Sequence, residues 1–286
     1  AFSVDVQRLY EFAKQVLDER ANTTLNQDNS LLWQDLIKIS SSPGGKRPKA
    51  IIALNPTTGN IISGQGMIPE GFQHYILKYD ENSAYPFGKL EHIYYLMALD
   101  AGITMMPSEL KTIEGVTHFL TRRFDRNGNE KIHTQTLAAM SPTSDSYEDI
   151  FAVIRRLNLP YEDSRQQYLR MVFNVLARNV DDHSKNFAFC MSREGTWRLS
   201  PAYDLTYSVD LAAPSYANRH SLTVNGKNEG LTRADLEKVA VDNDIQDYAN
   251  LIDTVSSAVA KFETYATELA IDKKLIESIK GDFVKG

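Results

Sequence analysis

Apolar positions follow two different patterns along this chain. Up to about residue 135 they come in short runs set off by turn residues, and beyond about Tyr147 they recur at helical spacing. The early runs predict strands. SSSPGGKRPKAIIAL is a Ser/Gly/Pro-rich loop entering an apolar strand. Asn55-Pro56 and Gly59-Asn60 mark turns, and IISGQG reads as the returning strand. His74 to Tyr79 (HYILKY) reads as a buried strand carrying one lysine. Residues 116–124 (VTHFLTRRF) read as another, followed by a turn over Asp125 to Gly128. Two stretches of this half are helical. One is the first 20 residues, with Val6, Leu9, Ala13, Val16 and Leu17 on one face. The other is residues 88–101, ended by Gly102 where a C-terminal glycine belongs.

The later half is mainly helical, with interruptions at Asn179 to Asn186 and Ser200 to Ser208, and helical again from about Leu231 to the end. Between the interruptions, NFAFCMSREGTWRLS reads as a hairpin turning at Arg193-Glu194-Gly195. The expectation is an α+β protein of two lobes. A strand-rich N-lobe covers residues 1–140 and a mainly helical C-lobe covers 141–286, with the break at Ser141-Pro142-Thr143-Ser144. A cleft between two such lobes is a natural place for a nucleotide.

Composition narrows the class. With 286 residues, 42% hydrophobic and 24% charged, the chain is long enough for a large core and ordinary for a globular protein. It has no run of about 20 apolar residues and no signal-peptide pattern, so no membrane partner is expected. A lone cysteine, Cys190, excludes an internal disulfide framework and suits a reducing cytoplasm. A net charge of −6 argues against strong direct binding of nucleic acid, although GGKRPK (residues 44–49) is a local basic patch.

The candidate chemistry begins at RNVDDHSKNFAF. Asp181 and Asn186 stand five apart, the D-x-x-x-x-N spacing of a kinase catalytic loop. Phosphoryl transfer needs a carboxylate to orient a hydroxyl and take its proton, and an oxygen ligand for Mg²⁺. Alone, that spacing fits a polar helix-ending loop just as well. Context shifts the balance. Asp204, in SPAYDLTYS, lies beyond the predicted hairpin, which would return it to Asn186 so that the pair could hold a metal. Lys78 sits in an apolar strand, where an unpaired lysine is costly, and Glu91 on the next helix is its natural partner. The alternative for Lys78 is a strand end with its ammonium in solvent. Gly44 and Gly45 among Lys46, Arg47 and Lys49 suit close backbone approach to phosphate, or make a flexible basic surface loop. His74, His92, His118, His133 and His220 are scattered and read as surface or satisfied core residues; His183 differs in lying inside the candidate loop. No zinc spacing and no G-x-S-x-G elbow occur.

Taken in order, SSPGGKRPKA, YILKYD, TRRFDR, NVDDHSKNFAF and LSPAYDLTYS resemble the HipA-type serine/threonine kinases, the toxins of bacterial toxin–antitoxin modules. That resemblance implies a two-lobed kinase-like fold and use of ATP with Mg²⁺. It makes Asp181 the base, with His183 and Lys185 completing the D-x-H-x-K-N core, and Asn186 and Asp204 the metal ligands. Lys78, Lys49 and the backbone of Gly44 and Gly45 would hold phosphates, and Tyr203 would lie beside the nucleotide. His133 to Leu137 stands where many members carry a Gln-Glu-Asp-type segment, which puts Gln135 and Leu137 at the adenine. An inactivating autophosphorylation falls on Ser42, with Ser40 and Ser41 as neighbours, among Lys46, Arg47 and Lys49. Asp182 occupies a position that is often glycine. The implied partners are a protein substrate such as an aminoacyl-tRNA synthetase and a DNA-binding antitoxin. Only about 40 residues precede the loop, as in the shorter HipT type, whose missing N-terminal subdomain is a separate small protein. A small-molecule kinase on the same scaffold, and a nucleotide-binding module that holds an antitoxin on DNA, are the competing readings.

Overall fold

The computed structural model describes residues 49–80, 85–113, 115–210 and 217–285. The predicted N-terminal helix, the Ser40 to Ser42 cluster, Gly44 and Gly45 lie outside them. The described residues pack as two compact units. One holds the residues up to His92 together with Pro107–Lys131, and the other holds Ile93–Met106 and everything from Ile132 onward.

The first unit is built on an antiparallel five-stranded sheet in the order β2-β1-β3-β5-β4. Its strands are β1 (Lys49–Leu54), β2 (Ile61–Ser63), β3 (Gln73–Lys78), β4 (Ser108–Ile113) and β5 (Val116–Arg122). β1 is an inner strand, apolar on both faces, with Ala50 to Leu54 all buried. It returns through the Asn55–Gly59 turn, where Asn55 Oδ1 accepts from the amides of Thr57 and Thr58 at 2.9 and 3.1 Å. Of the expected IISGQG strand only Ile61–Ser63 is strand, as β2, and the expected HYILKY strand is β3 without Tyr79. The Asp125 to Gly128 turn opens a small hairpin of β6 (Arg126–Asn127) and β7 (Glu130–Lys131). β4 has no clear alternation in sequence (SELKTI) and owes its strand form to pairing with β5 along its whole length.

Helix α1 (Phe87–Asp100) starts in the first unit, and the division between the units falls inside it. Its end follows from Gly102. The Gly102 amide donates to Leu99 O and that of Ile103 to Ala98 O, both at 2.9 Å, with Gly102 at φ +75°. This is the paired-bond termination that a glycine in the left-handed region permits.

The second unit is mainly helical. It contains α2 (Leu137–Met140), α3 (Tyr147–Arg156), α4 (Tyr161–Leu176), α5 (Arg233–Asp242), α6 (Tyr248–Val259), α7 (Phe262–Glu268) and α8 (Lys273–Asp282). α3 begins at a reciprocal cap between Ser146 and Asp149. α4 is its axis, with every residue from Gln166 to Leu176 buried. A helix apolar on one side only would not do this; of its buried polar residues, Gln166 binds the Thr104 amide and Gly102 O, and Arg170 and Asn174 reach the site described below. Tyr94 packs edge-on against Phe173 with ring centroids 5.8 Å apart, and its hydroxyl donates to Ala177 O. Burial of side chains this size stabilises by about 1.5–3 kcal/mol each. The predicted hairpin is present as β9 (Ala188–Met191) and β10 (Trp197–Leu199), paired antiparallel. Sequence periodicity missed β8 (His133–Thr136), which adds to β9 in a three-stranded sheet, because four polar-rich residues carry no alternation. No described helix is long and apolar enough to cross a membrane.

Candidate active site

In the first unit the site residues are Lys78 and Glu91. Lys78 ends β3 and Glu91 lies one turn into α1; their side chains form an ion pair, at 9% and 3% exposure. The lysine is therefore paired within the unit rather than turned to solvent. Its ammonium also stands 5.9 Å from the centre of the Phe119 ring. The start of α1 is tied to the end of β3, because Asp80 Oδ2 accepts from the Gly88 amide at 2.9 Å. The Asp80 amide donates to His118 Nδ1 at 3.0 Å. Burial lowers the pKa of His118, which keeps that nitrogen an acceptor. Lys49 opens β1 in direct register with Lys78 across the sheet, so the two lysines share one face.

In the second unit α4 stops at Leu176. Arg178 turns into the left-handed region at φ +57°, and the Asn179 amide donates back to Asn174 O at 2.9 Å. The chain then runs through Asp181 to a 3-10 turn over Ser184–Asn186. Asn186 Nδ2 donates to Asp181 O at 2.8 Å, which turns the amide oxygen of Asn186 away from that carbonyl. The Asp181 side chain is 70% exposed, and His183 Nε2 stands 3.8 Å from its Oδ1. Lys185 is exposed, and its carbonyl accepts from the Tyr203 hydroxyl at 2.8 Å.

The β9–β10 hairpin performs the expected return. Asn186, Tyr203 and Asp204 line one small pocket, together with Arg170 and Asn174 from α4. Asp204 adopts φ +58°, a conformation that costs a non-glycine residue on the order of 1 kcal/mol and recurs at functional loops. Arg170 is 4% exposed and donates to Ser200 O at 2.6 Å. Burial pushes its guanidinium down to about 10, partly offset by Tyr203 and Asp163, so it stays a cation at neutral pH. Burial first, and the Asp204 carboxylate second, push the Tyr203 phenol up.

The two adenine candidates are placed differently. Gln135 lies on β8 opposite Phe189 and is half-buried. Leu137 is wholly buried, with its amide donating to Phe187 O at 2.8 Å, so its side chain offers no surface to a ligand.

The sequence reading missed the groups behind the loop. Asp182 is 1% exposed. Its Oδ2 accepts from the Tyr147 hydroxyl at 2.6 Å and stands 2.7 Å from His220 Nδ1, and its Oδ1 accepts from the Ser221 amide at 2.7 Å. Burial, followed by the charge of Asp182, raises the Tyr147 phenol well above its ordinary range. His220, one of the scattered histidines, is a partner of the loop from 38 residues downstream. Spacing could not reveal a contact between segments so far apart; two adjacent aspartates were the only hint.

A metal's fit can be judged from the donors. Among the described residues no three His, Cys, Asp or Glu side chains cluster as a closed metal cage. An amide oxygen from Asn186 and a carboxylate from Asp204 suit Mg²⁺, which takes one or two protein oxygens and completes its shell with phosphate and water.

A loop carrying a carboxylate and an amide five residues apart, with a further aspartate returned beside it by a hairpin, defines the layout of a kinase-like fold. Residues 41–276 match the family model of the HipA-like C-terminal domain, and the chain belongs to that family. A curated relative, "Putative kinase Y4mE" of Sinorhizobium fredii (strain NBRC 101917 / NGR234), is 24% identical over 216 residues. The match takes in 66% of this chain and 50% of that protein, so the chain spans about half the length of the curated relative it matches. The solved HipA of Shewanella oneidensis MR-1, in a toxin–antitoxin complex with HipB and operator DNA, superposes with a TM-score of 0.63 at 16% identity. That superposition covers 94% of this chain and 68% of that one. The Helicobacter pylori proinflammatory kinase CtkA gives a TM-score of 0.47 at 12% identity, over 75% of this chain and 94% of its own.

Proposed function

We propose that the protein is an ATP- and Mg²⁺-dependent serine/threonine protein kinase, the toxin of a HipA-type toxin–antitoxin system. The observation that carries this reading is the bond from Asn186 Nδ2 to Asp181 O, made while Asp204 lines the pocket that Asn186 lines. One contact leaves the Asp181 carboxylate in solvent and commits the Asn186 amide so that its oxygen is presented as a ligand.

Asp181 orients the substrate hydroxyl and accepts its proton as the oxygen attacks the terminal phosphoryl group of ATP; ADP leaves with the bridging oxygen. Asn186 and Asp204 hold Mg²⁺, which offsets charge on the phosphates. Lys185, exposed on the same loop, and His183 beside Asp181 line the path of the transferred group. Tyr203, with its hydroxyl anchored on Lys185 O, offers its ring to the nucleotide, and Gln135 supplies a polar contact to the base. Lys78 binds phosphate, held in place by Glu91. Lys49, in register with Lys78 on the neighbouring strand, puts a second cation on the same face, which suits a polyanionic phosphate. The substrate is a serine or threonine of a protein of the translation machinery, and autophosphorylation falls on Ser42, Ser40 or Ser41. A DNA-binding antitoxin is the partner.

The Asp181→Ala variant tests the reading. Phosphate transfer from labelled ATP to protein should fall roughly 10²–10⁴-fold, with the melting temperature unchanged because the side chain is exposed. Equal incorporation by both proteins removes Asp181 from its role. Label found only on a metabolite replaces the protein substrate with a small molecule.

A further inference from the structure

A second feature of the loop is the direction of its hydrogen bonds. The Asp181 amide donates to Ser208 Oγ at 2.9 Å. Ser208 donates to Asn179 Oδ1 at 3.1 Å, and Asn179 Nδ2 to Asn174 Oδ1 at 3.0 Å. Asn174 Nδ2 donates to the Tyr147 hydroxyl at 2.9 Å, and Tyr147 to Asp182 Oδ2 at 2.6 Å. Five bonds thus leave the backbone of Asp181, pass through three separate segments of the chain, and return to the carboxylate of its neighbour.

Both ends of this chain are fixed by chemistry. A backbone amide can only donate, and an ionised carboxylate can only accept. Every rotor between them, two hydroxyls and two carboxamides, is therefore forced to point one way. Asn174, Asn179, Tyr147 and Asp182 are all at most 2% exposed, so water does not compete for the three inner bonds; the Asp181–Ser208 bond is the exposed end of the chain. Charge at the terminus polarises each successive donor, and the low local dielectric makes that coupling stronger than in solvent. Asp182 is further pinned by His220 Nδ1 and the Ser221 amide, and the latter can only donate.

We propose that Asp182 is the positioning residue of the candidate catalytic loop. Its carboxylate sets the sense of the hydrogen-bond chain, and the chain holds the Asp181 amide while Asn186 holds the Asp181 carbonyl. With the backbone fixed on both sides, the exposed side chain of Asp181 is aimed without any contact of its own to the core. The inference rests on Asp181 being the base, and it assigns adjacent aspartates opposite tasks, one facing substrate and one facing inward. Carboxylate is required and volume is not enough. An asparagine at 182 has one acceptor oxygen for three donors, so one donor faces an N–H group or the chain reverses and Ser208 loses its acceptor.

Asp182→Asn and Tyr147→Phe, made in the full chain, test this. Tyr147→Phe is the milder variant and removes a single hydroxyl from the same chain. Turnover should fall at least tenfold in both, with the KM for ATP changed less than twofold. Amide hydrogen exchange gives a readout independent of activity: the amides of residues 180–186 should exchange at least tenfold faster in both variants, while α4 keeps wild-type protection. Loss of α4 protection as well marks general unfolding; if Tyr147→Phe shows it, the positioning role is overturned in favour of a structural one. Wild-type turnover and loop exchange in Tyr147→Phe overturn it outright. A wild-type protein with no phosphate transfer, whose loop exchange still responds to Tyr147→Phe, defeats the kinase reading and leaves the positioning chain standing.

Discussion

The two units each bury ionisable side chains, and they satisfy them by different means. In the first, the ammonium of Lys78 meets the carboxylate of Glu91. In the second, the carboxylate of Asp182 meets a phenol, an imidazole and a backbone amide. Removing either member of a buried ion pair takes opposite charge away from the other in low dielectric. A carboxylate with three donors degrades in steps. The first arrangement suits a side chain that must hold its place against a ligand of changing charge, and the second suits a backbone that must not move.

The largest effect should come from breaking the ion pair. Glu91→Ala takes the carboxylate away from the buried Lys78 ammonium and should destabilise the protein by about 3–5 kcal/mol, read by urea denaturation. The double variant Lys78→Met/Glu91→Leu should recover most of that loss. If the single variant is as stable as wild type, the buried pair is not holding the sheet and helix together. The matching change in the second unit is smaller. His220→Leu removes one of three partners of Asp182 and should cost about 1–3 kcal/mol in the same denaturation. A loss as large as that of Glu91→Ala would show that the three donors act as one unit.

Acid separates the units in another way. Burial alone would raise the Asp125 carboxyl in the first unit; the hydrogen bonds and charge of Arg123, joined by Arg126, outweigh it and hold the pKa below its ordinary value. At Asp235 in the second unit burial again opposes, and Lys227, Asn225 and the Thr232 amide hold the carboxyl far lower. A depressed carboxylate stabilises the fold fully above its unfolded pKa of about 4 and loses that contribution as pH falls through the folded value. The melting temperature should therefore drop below about pH 4. Asp125→Asn should flatten only the upper part of that drop, and Asp235→Asn both the upper part and its continuation to lower pH. Identical profiles in the two variants would contradict the ordering. The smallest effect is expected at Gly102→Ala. A methyl there meets no atom, so only the positive φ is penalised, and the cost should be about 1 kcal/mol in thermal melts.

Much of this molecule was legible in order along the chain. β1, β3, β5, α1 and the β9–β10 hairpin were announced by local signals: apolar runs bounded by turns, a helical repeat ended by glycine, a turn between two apolar stretches. Those signals act within a few residues, and a linear reading can see them. β4 and β8 were not announced, because their strand form depends on the neighbour they pair with.

The candidate site divides along the same line. Asp181, Asn186, Asp204 and Lys78 were candidates from the sequence, because phosphoryl chemistry demands those residue types and the signals that frame them, a loop spacing, a hairpin and one lysine in an apolar strand, are local. Only the tertiary structure decided what Asp182 and His220 do. Whether an aspartate faces solvent or a buried imidazole depends on which distant segment arrives behind it. The side chains that arrive, Tyr147, Asn174 and His220, are recruited from an α3 start, an α4 stripe and a loop that share no periodicity. Their common feature is a set of donors that one buried carboxylate needs, and that need appears only once the chain has folded.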